Sequence, residues 1–166
     1  MKDLIEDWRQ NRSAHLNAFK KVLSKISTKK SKELDKMATE FDQEVFEEID
    51  CLSCANCCKT IPPILNKTDV KRISSHLKMK EATFIKHYVT IDEDQDQVMN
   101  QSPCPFLGVD NYCGIYEVKP KACREYPHTH QKGFLAKKKL HLQNVATCPA
   151  VFHVLKNIEI RLSGGR

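Results

Sequence analysis

Large apolar residues recur at three- and four-residue steps near the start of the chain, at Leu4, Ile5, Trp8, Leu16, Phe19, Val22, Leu23 and Ile26. That spacing gathers them on one face of a helix, so residues 4–26 are predicted as an amphipathic helix. After the polar interruption Ser27-Thr28-Lys29-Lys30 the period resumes at Leu34, Met37, Ala38, Phe41, Val45, Phe46 and Ile49. Ser31 stands where an N-cap is expected. The first fifty residues thus predict two joined helices, a helical hairpin.

Pro62-Pro63 stops any helix, and the pattern restarts over residues 66–79, with Asp69 near the start and Val70, Ile73 and Leu77 inward. A short helix is predicted over 81–88. In IDEDQDQVMN, Asp92, Asp94 and Asp96 alternate as at the opening of a calcium loop. Gln97 occupies the place of the required glycine, however, and Pro103 that of the closing glutamate. The segment therefore predicts a polar turn leading into a short strand over 97–101. Residues 102–126, with their prolines, Gly108, Asp110 and Asn111, predict turns. Residues 134–143 fit strand and helix equally, and 149–162 predict a last helix with proline in its first turn. The expected fold is mainly α: an N-terminal helical extension (1–50), a small cysteine-rich, metal-centred domain with turn-rich segments and a short β-hairpin (51–162), and a flexible tail (163–166).

Cysteine changes this picture most. CLSCANCCKT places Cys51, Cys54, Cys57 and Cys58 within eight positions, and Cys104, Cys113, Cys123 and Cys148 follow. A chain of 166 residues can bury a core without covalent staples. The charged opening MKDLIEDWRQ lacks the apolar core of a signal peptide, and no apolar run approaches the roughly 18–20 residues of a membrane span. The expected setting is the cytoplasm, where clustered thiols bind metal or do redox chemistry more often than they form disulfides. A Cys-x2-Cys turn aims two thiolates at one ion, and soft sulfur selects zinc, copper(I) or iron–sulfur clusters. Cys51, Cys54 and Cys57 match the first three ligands of the bacterial ferredoxin run, whose closing Cys-Pro is absent locally but occurs at Cys104-Pro105 and Cys148-Pro149. Adjacent side chains such as Cys57 and Cys58 are expected to point apart, so that they serve different ions or only one of them is a ligand. Eight thiols make two four-ligand sites, or one site with spare cysteines.

CxxCxxCC, then CPFL, CGIYEVKPKACREYP and CPAV, resembles the CxxCxxCC family, also called YkgJ-type cysteine cluster proteins, zinc- or iron-chelating domains. The resemblance runs from about Cys51 to Leu155 and takes in the helices between the first two motifs. It implies that Cys51, Cys54, Cys57, Cys58, Cys104, Cys113, Cys123 and Cys148 are metal ligands, with zinc or an iron–sulfur cluster as the cofactor. Two departures stand out. Ala55-Asn56 replaces a segment in which many members have glycine before the third cysteine, with Asn56 the better substitute for left-handed angles, and Lys119-Pro120 replaces Arg-Pro.

Charge adds little. The formal +6 counts every thiol as neutral; eight thiolates holding two divalent ions would remove a net four charges and leave +2. Nucleic acid is accordingly disfavoured as a partner, a membrane is excluded, and a protein partner stays unidentified. The lysines at 20, 21, 25, 29, 30 and 32 read as a solvated face, with a phosphate-binding strip as the alternative. Arg124 either lowers the charge cost of thiolates or pairs with Glu117 or Glu125. His128 and His130 fit a surface loop better than a zinc site, and His15, His76, His87, His141 and His153 lack ligand spacing. Tyr112, Tyr116, Tyr126 and Phe106 fit a small local core. The leading function is a metal-binding module; the alternatives are an iron–sulfur redox or radical-type enzyme and a zinc-stabilised nucleic-acid or protein adaptor.

Overall fold

The computed structural model describes residues 2–164 and is mainly α-helical with one small antiparallel sheet. Its elements are α1 (Lys2–Lys25), α2 (Ser31–Glu48), α3 (Cys51–Cys54), α4 (Asn56–Thr60), α5 (Lys67–His76), α6 (Glu81–Tyr88), β1 (Val89–Ile91), β2 (Gln97–Met99), α7 (Lys121–Glu125), α8 (Lys138–Asn144) and α9 (Pro149–Leu162). They group into two compact units, one made of Met1–Cys51 and Pro127–Arg166, the other of Leu52–Tyr126. No described helix is long and apolar enough to cross a membrane.

In the first unit α1 and α2 both pack along α9. Helix α9 is consequently buried on nearly every side, with Ala150, Val151, Phe152, Val154, Leu155 and Ile158 in the core. Phe19, Leu23, Leu34, Phe41 and Phe134 fill the spaces between the helices. Polar groups fix the connections. Trp8 Nε1–H donates to the Val145 carbonyl over 2.7 Å, and the Asp35 carboxylate accepts the backbone N–H groups of Gly133 (3.0 Å) and Phe134 (2.9 Å). Gly133 has φ +80°, a left-handed conformation that glycine adopts without strain.

One expectation needs correction and one open choice is decided. Ser31 is not the N-cap of α2 but its first residue: the hydroxyl of Ser27 accepts the Lys29 N–H, and the 3-10 turn over Thr28–Lys30 runs straight into the helix. Residues 134–143, which fit strand and helix equally, form a turn followed by α8. Gly165 and Arg166, half of the expected tail, lie outside the described residues.

The second unit follows the pattern of the sequence closely. A capping box opens α5: the Asn66 side chain accepts the Asp69 N–H at 2.8 Å, and the Asp69 carboxylate accepts the Asn66 N–H at 3.2 Å. Helix α6 runs into β1, and the turn at 92–96 returns the chain as β2, pairing Val89 with Met99 and Ile91 with Gln97. Asp92 organises that turn by accepting the N–H groups of Asp94 and Asp96. Leu65, Val70, Ile73, Phe84, Met99 and Ile115 form the core. Of the aromatics expected to make a local core, Phe106 does so by packing on Phe84 and Tyr88, whereas Tyr112 and Tyr116 are exposed.

Candidate metal centre

The first four cysteines lie on two short helices. Cys51 and Cys54 bound α3, Cys57 and Cys58 sit on α4, and the chain breaks between them at Ala55, which is buried at φ 49°, ψ 15°. The residue in the left-handed conformation is thus Ala55 and not Asn56, which already belongs to the helix. An alanine there stores strain of about 1–2 kcal/mol that a glycine would not. The break separates the helix of Cys51 and Cys54 from that of Cys57 and Cys58.

That segment is tied to α4 through the backbone, Cys104 N–H donating to the Cys58 carbonyl at 2.8 Å. From Cys104 the chain doubles back to Cys113: Leu107 bridges Cys113, and the amides of Gly108 and Gly114 donate to the carbonyls of Tyr112 and Phe106. Gly108 lets this turn close tightly: a Cβ there would lie 3.2 Å from the Tyr112 carbonyl and 2.5 Å from Asp110 Oδ1, so the Asp110 side chain would have to move.

Helix α7 brings Cys123. Its first amide, of Lys121, donates to Asp69 Oδ1 at 3.0 Å, and the same carboxylate, 1% exposed, receives Arg72 Nη2 at 2.5 Å. Arg72 also reaches the carbonyls of Val118 and Lys119, and Arg124 donates to the Lys119 carbonyl at 2.7 Å. Neither role expected for Arg124 holds: its guanidinium braces the turn before its own helix. Lys119 is a cation that acts on several of the sulfurs, its ammonium 3.7 Å from the centre of the Tyr116 ring and its charge felt at Cys58, Cys113 and Cys123.

Cys58, Cys104, Cys113 and Cys123 lie within one another's electrostatic reach. A hydrogen bond from the Cys57 thiol, helped by Lys119 and Lys59, holds Cys58 down to about 7 against the opposing effect of burial. The two neighbours therefore meet, contrary to the expectation that their side chains point apart; successive positions on a helix are only about 100° apart. Burial pushes Cys104, Cys113 and Cys123 up, Cys123 to about 12, and the charge on Cys58 raises all three further. Of the four, Cys58 is the sulfur that ionises most readily. A bound cation would reverse both penalties, desolvation and mutual repulsion, so the chemistry of the donors fits a soft metal ion. Their positions are not those of a closed coordination shell: among the described residues no three His, Cys, Asp or Glu side chains form a group that could hold an ion.

Cys51 and Cys148 belong to the other unit. His130 is there as well, 4.0 Å from Asp42, and His141 is fully buried in its core. Lys119, Asp69, Arg72 and the left-handed role of Ala55 were missed by sequence reasoning. Only the Asn66–Asp69 spacing carried a local signal, since Arg72 and Lys119 act through carbonyls and charge.

The family model CxxCxxCC, described as "Putative zinc- or iron-chelating domain", matches residues 50–149. No curated protein and no solved structure matches the chain. The match covers more than half of the 166 residues and all eight cysteines, and the chain belongs to the CxxCxxCC family.

Proposed function

We propose that this protein chelates zinc or iron through cysteine thiolates, with Cys58, Cys104, Cys113 and Cys123 as the core ligands. The observation that carries this reading is the match of residues 50–149 to the chelating-domain family, joined to the fold of one unit that ties Cys104 to Cys58 through the backbone and also holds Cys113 and Cys123. Four thiolates suit tetrahedral zinc or an iron–sulfur cluster. When bound, such an ion supplies the positive charge that lets four neighbouring sulfurs remain ionised. Cys51, Cys54, Cys57 and Cys148 are the remaining cysteines of the family pattern. The cytoplasm is the setting that keeps them reduced.

The test is the metal and acid-labile sulfide content of untagged protein purified under argon, compared with Cys104→Ala and Cys113→Ala variants. Near-stoichiometric zinc or iron, lost from both variants, supports the reading. Iron with sulfide in equal amount and a brown colour identifies an iron–sulfur cluster and brings forward redox chemistry. Protein that takes up neither metal, or variants that retain it in full, refutes the ligand assignment.

A further inference from the structure

The net charge of the chain is divided unevenly. The unit made of 1–51 and 127–166 has 17 Lys and Arg against 12 Asp and Glu, a net +5, while 52–126 has 10 against 9. Part of that excess borders an open groove of about 680 Å³ on the first unit, where α1 meets α8. Leu16, Leu23 and Leu142 provide an apolar floor, and Lys20, Lys138 and Lys139 border it. The lysines are exposed, and no acidic residue is among the described residues that line the groove. Its shape is braced from below: Trp8 and Arg12 on α1 donate to the carbonyls of Val145 and Ala146, just beyond α8.

From this geometry we infer that the groove is a docking site for an amphipathic helix of a partner protein, one that presents an apolar stripe flanked by Asp and Glu. A concave apolar trough with a basic rim is complementary to a convex apolar ridge with acidic flanks, and a helix of about 10 Å diameter supplies that ridge. The charges set the orientation and the rate of encounter, and the leucines supply the buried surface. A nucleic acid offers the charge without apolar surface to cover Leu16 and Leu142. A symmetric second copy would set Lys20, Lys138 and Lys139 against their own counterparts, a like-charge contact that opposes dimerisation.

The experiment uses the full chain with its metal in place and fluorescence anisotropy of a labelled 18-residue helical peptide, with leucine at steps of three and four and glutamate on both flanks. Three controls accompany it: the same composition scrambled, a version with lysine for glutamate, and vesicles of phosphatidylglycerol and phosphatidylcholine. The acidic helix binds at least tenfold more tightly than either control peptide, several-fold more weakly in 0.5 M salt, and tenfold or more weakly to the double variant Lys138→Glu/Lys139→Glu. Leu142→Glu abolishes binding, and Lys20→Glu, an exposed change that leaves the core intact, weakens it. Metal content stays constant in the lysine variants, which separates this site from the cysteine centre. Equal binding of acidic and scrambled peptides, indifference to the lysine variants, or binding of the vesicles with no preference for the acidic helix would overturn the proposal.

Discussion

Replacing Asp69 by alanine tests how the candidate centre is assembled. The carboxylate accepts three donors: the Asn66 N–H at the start of α5, Arg72 Nη2, and the Lys121 N–H that begins the helix bearing Cys123. With Asp69 1% exposed, water cannot readily replace it. Two backbone donors lose an acceptor, at about 1 kcal/mol each, and a charge-assisted bond to Arg72 worth about 1.5–3 kcal/mol goes with them. Arg72 is itself 28% exposed in its side chain, so solvent softens its loss and the lower figure applies. The expected cost is about 3–4 kcal/mol. Urea unfolding of reduced, metal-free protein followed by circular dichroism reads that loss, and the alkylation rate of Cys123 reads whether α7 has loosened. In an Arg72→Met background the Asp69→Ala step should cost about 1–2 kcal/mol less, because the pair is already broken. A cost below about 1 kcal/mol, or an unchanged rate at Cys123, refutes the argument that this carboxylate holds the cysteine helix in place.

Thiol reactivity should sort by environment in the metal-free protein. Only thiolate reacts, so iodoacetamide should modify Cys58 with a midpoint near pH 7 and leave Cys123, raised to about 12, untouched at neutral pH; Lys119→Met should move the Cys58 midpoint upward, and a peptide map showing Cys123 modified first would contradict this order. His141 supplies an acid-labile element in the other unit: fully buried and stacked on Phe134 at 4.0 Å, with neither ring nitrogen in a hydrogen bond of normal geometry, it is held down to about 4 by burial, then by His128 and Lys137. Because its folded value lies below the unfolded 6.5, the stability it contributes is fully present above pH 6.5 and is lost as pH falls toward 4, about 3 kcal/mol in all. His141→Phe should remove that share of the acid sensitivity in urea midpoints, and parallel pH profiles for the two proteins would refute it.

Local information lay in the sequence. The period of the apolar residues determined α1, α2, α6 and α9 almost to the residue, since amphipathic helices are specified by their own spacing. The polar run at 92–96 marked the turn, which Asp92 closes by accepting two backbone N–H groups, and the cysteine spacing marked the metal chemistry without any fold. What the sequence left open is long-range. No periodicity shows that α9 would return to α1 and α2, because burial on nearly every side depends on which helices arrive around it. Nor does spacing bring Cys123 toward Cys58: that depends on one buried carboxylate, Asp69, reaching an amide 52 positions away. The ease of ionising Cys58 comes first from its neighbour Cys57 and then from Lys119, 61 positions away, whose carbonyl is gripped by Arg72 and Arg124. Chain-local patterns specify elements, while the fields and contacts that tune a thiol come from residues distant in sequence, and only the tertiary structure assembles them.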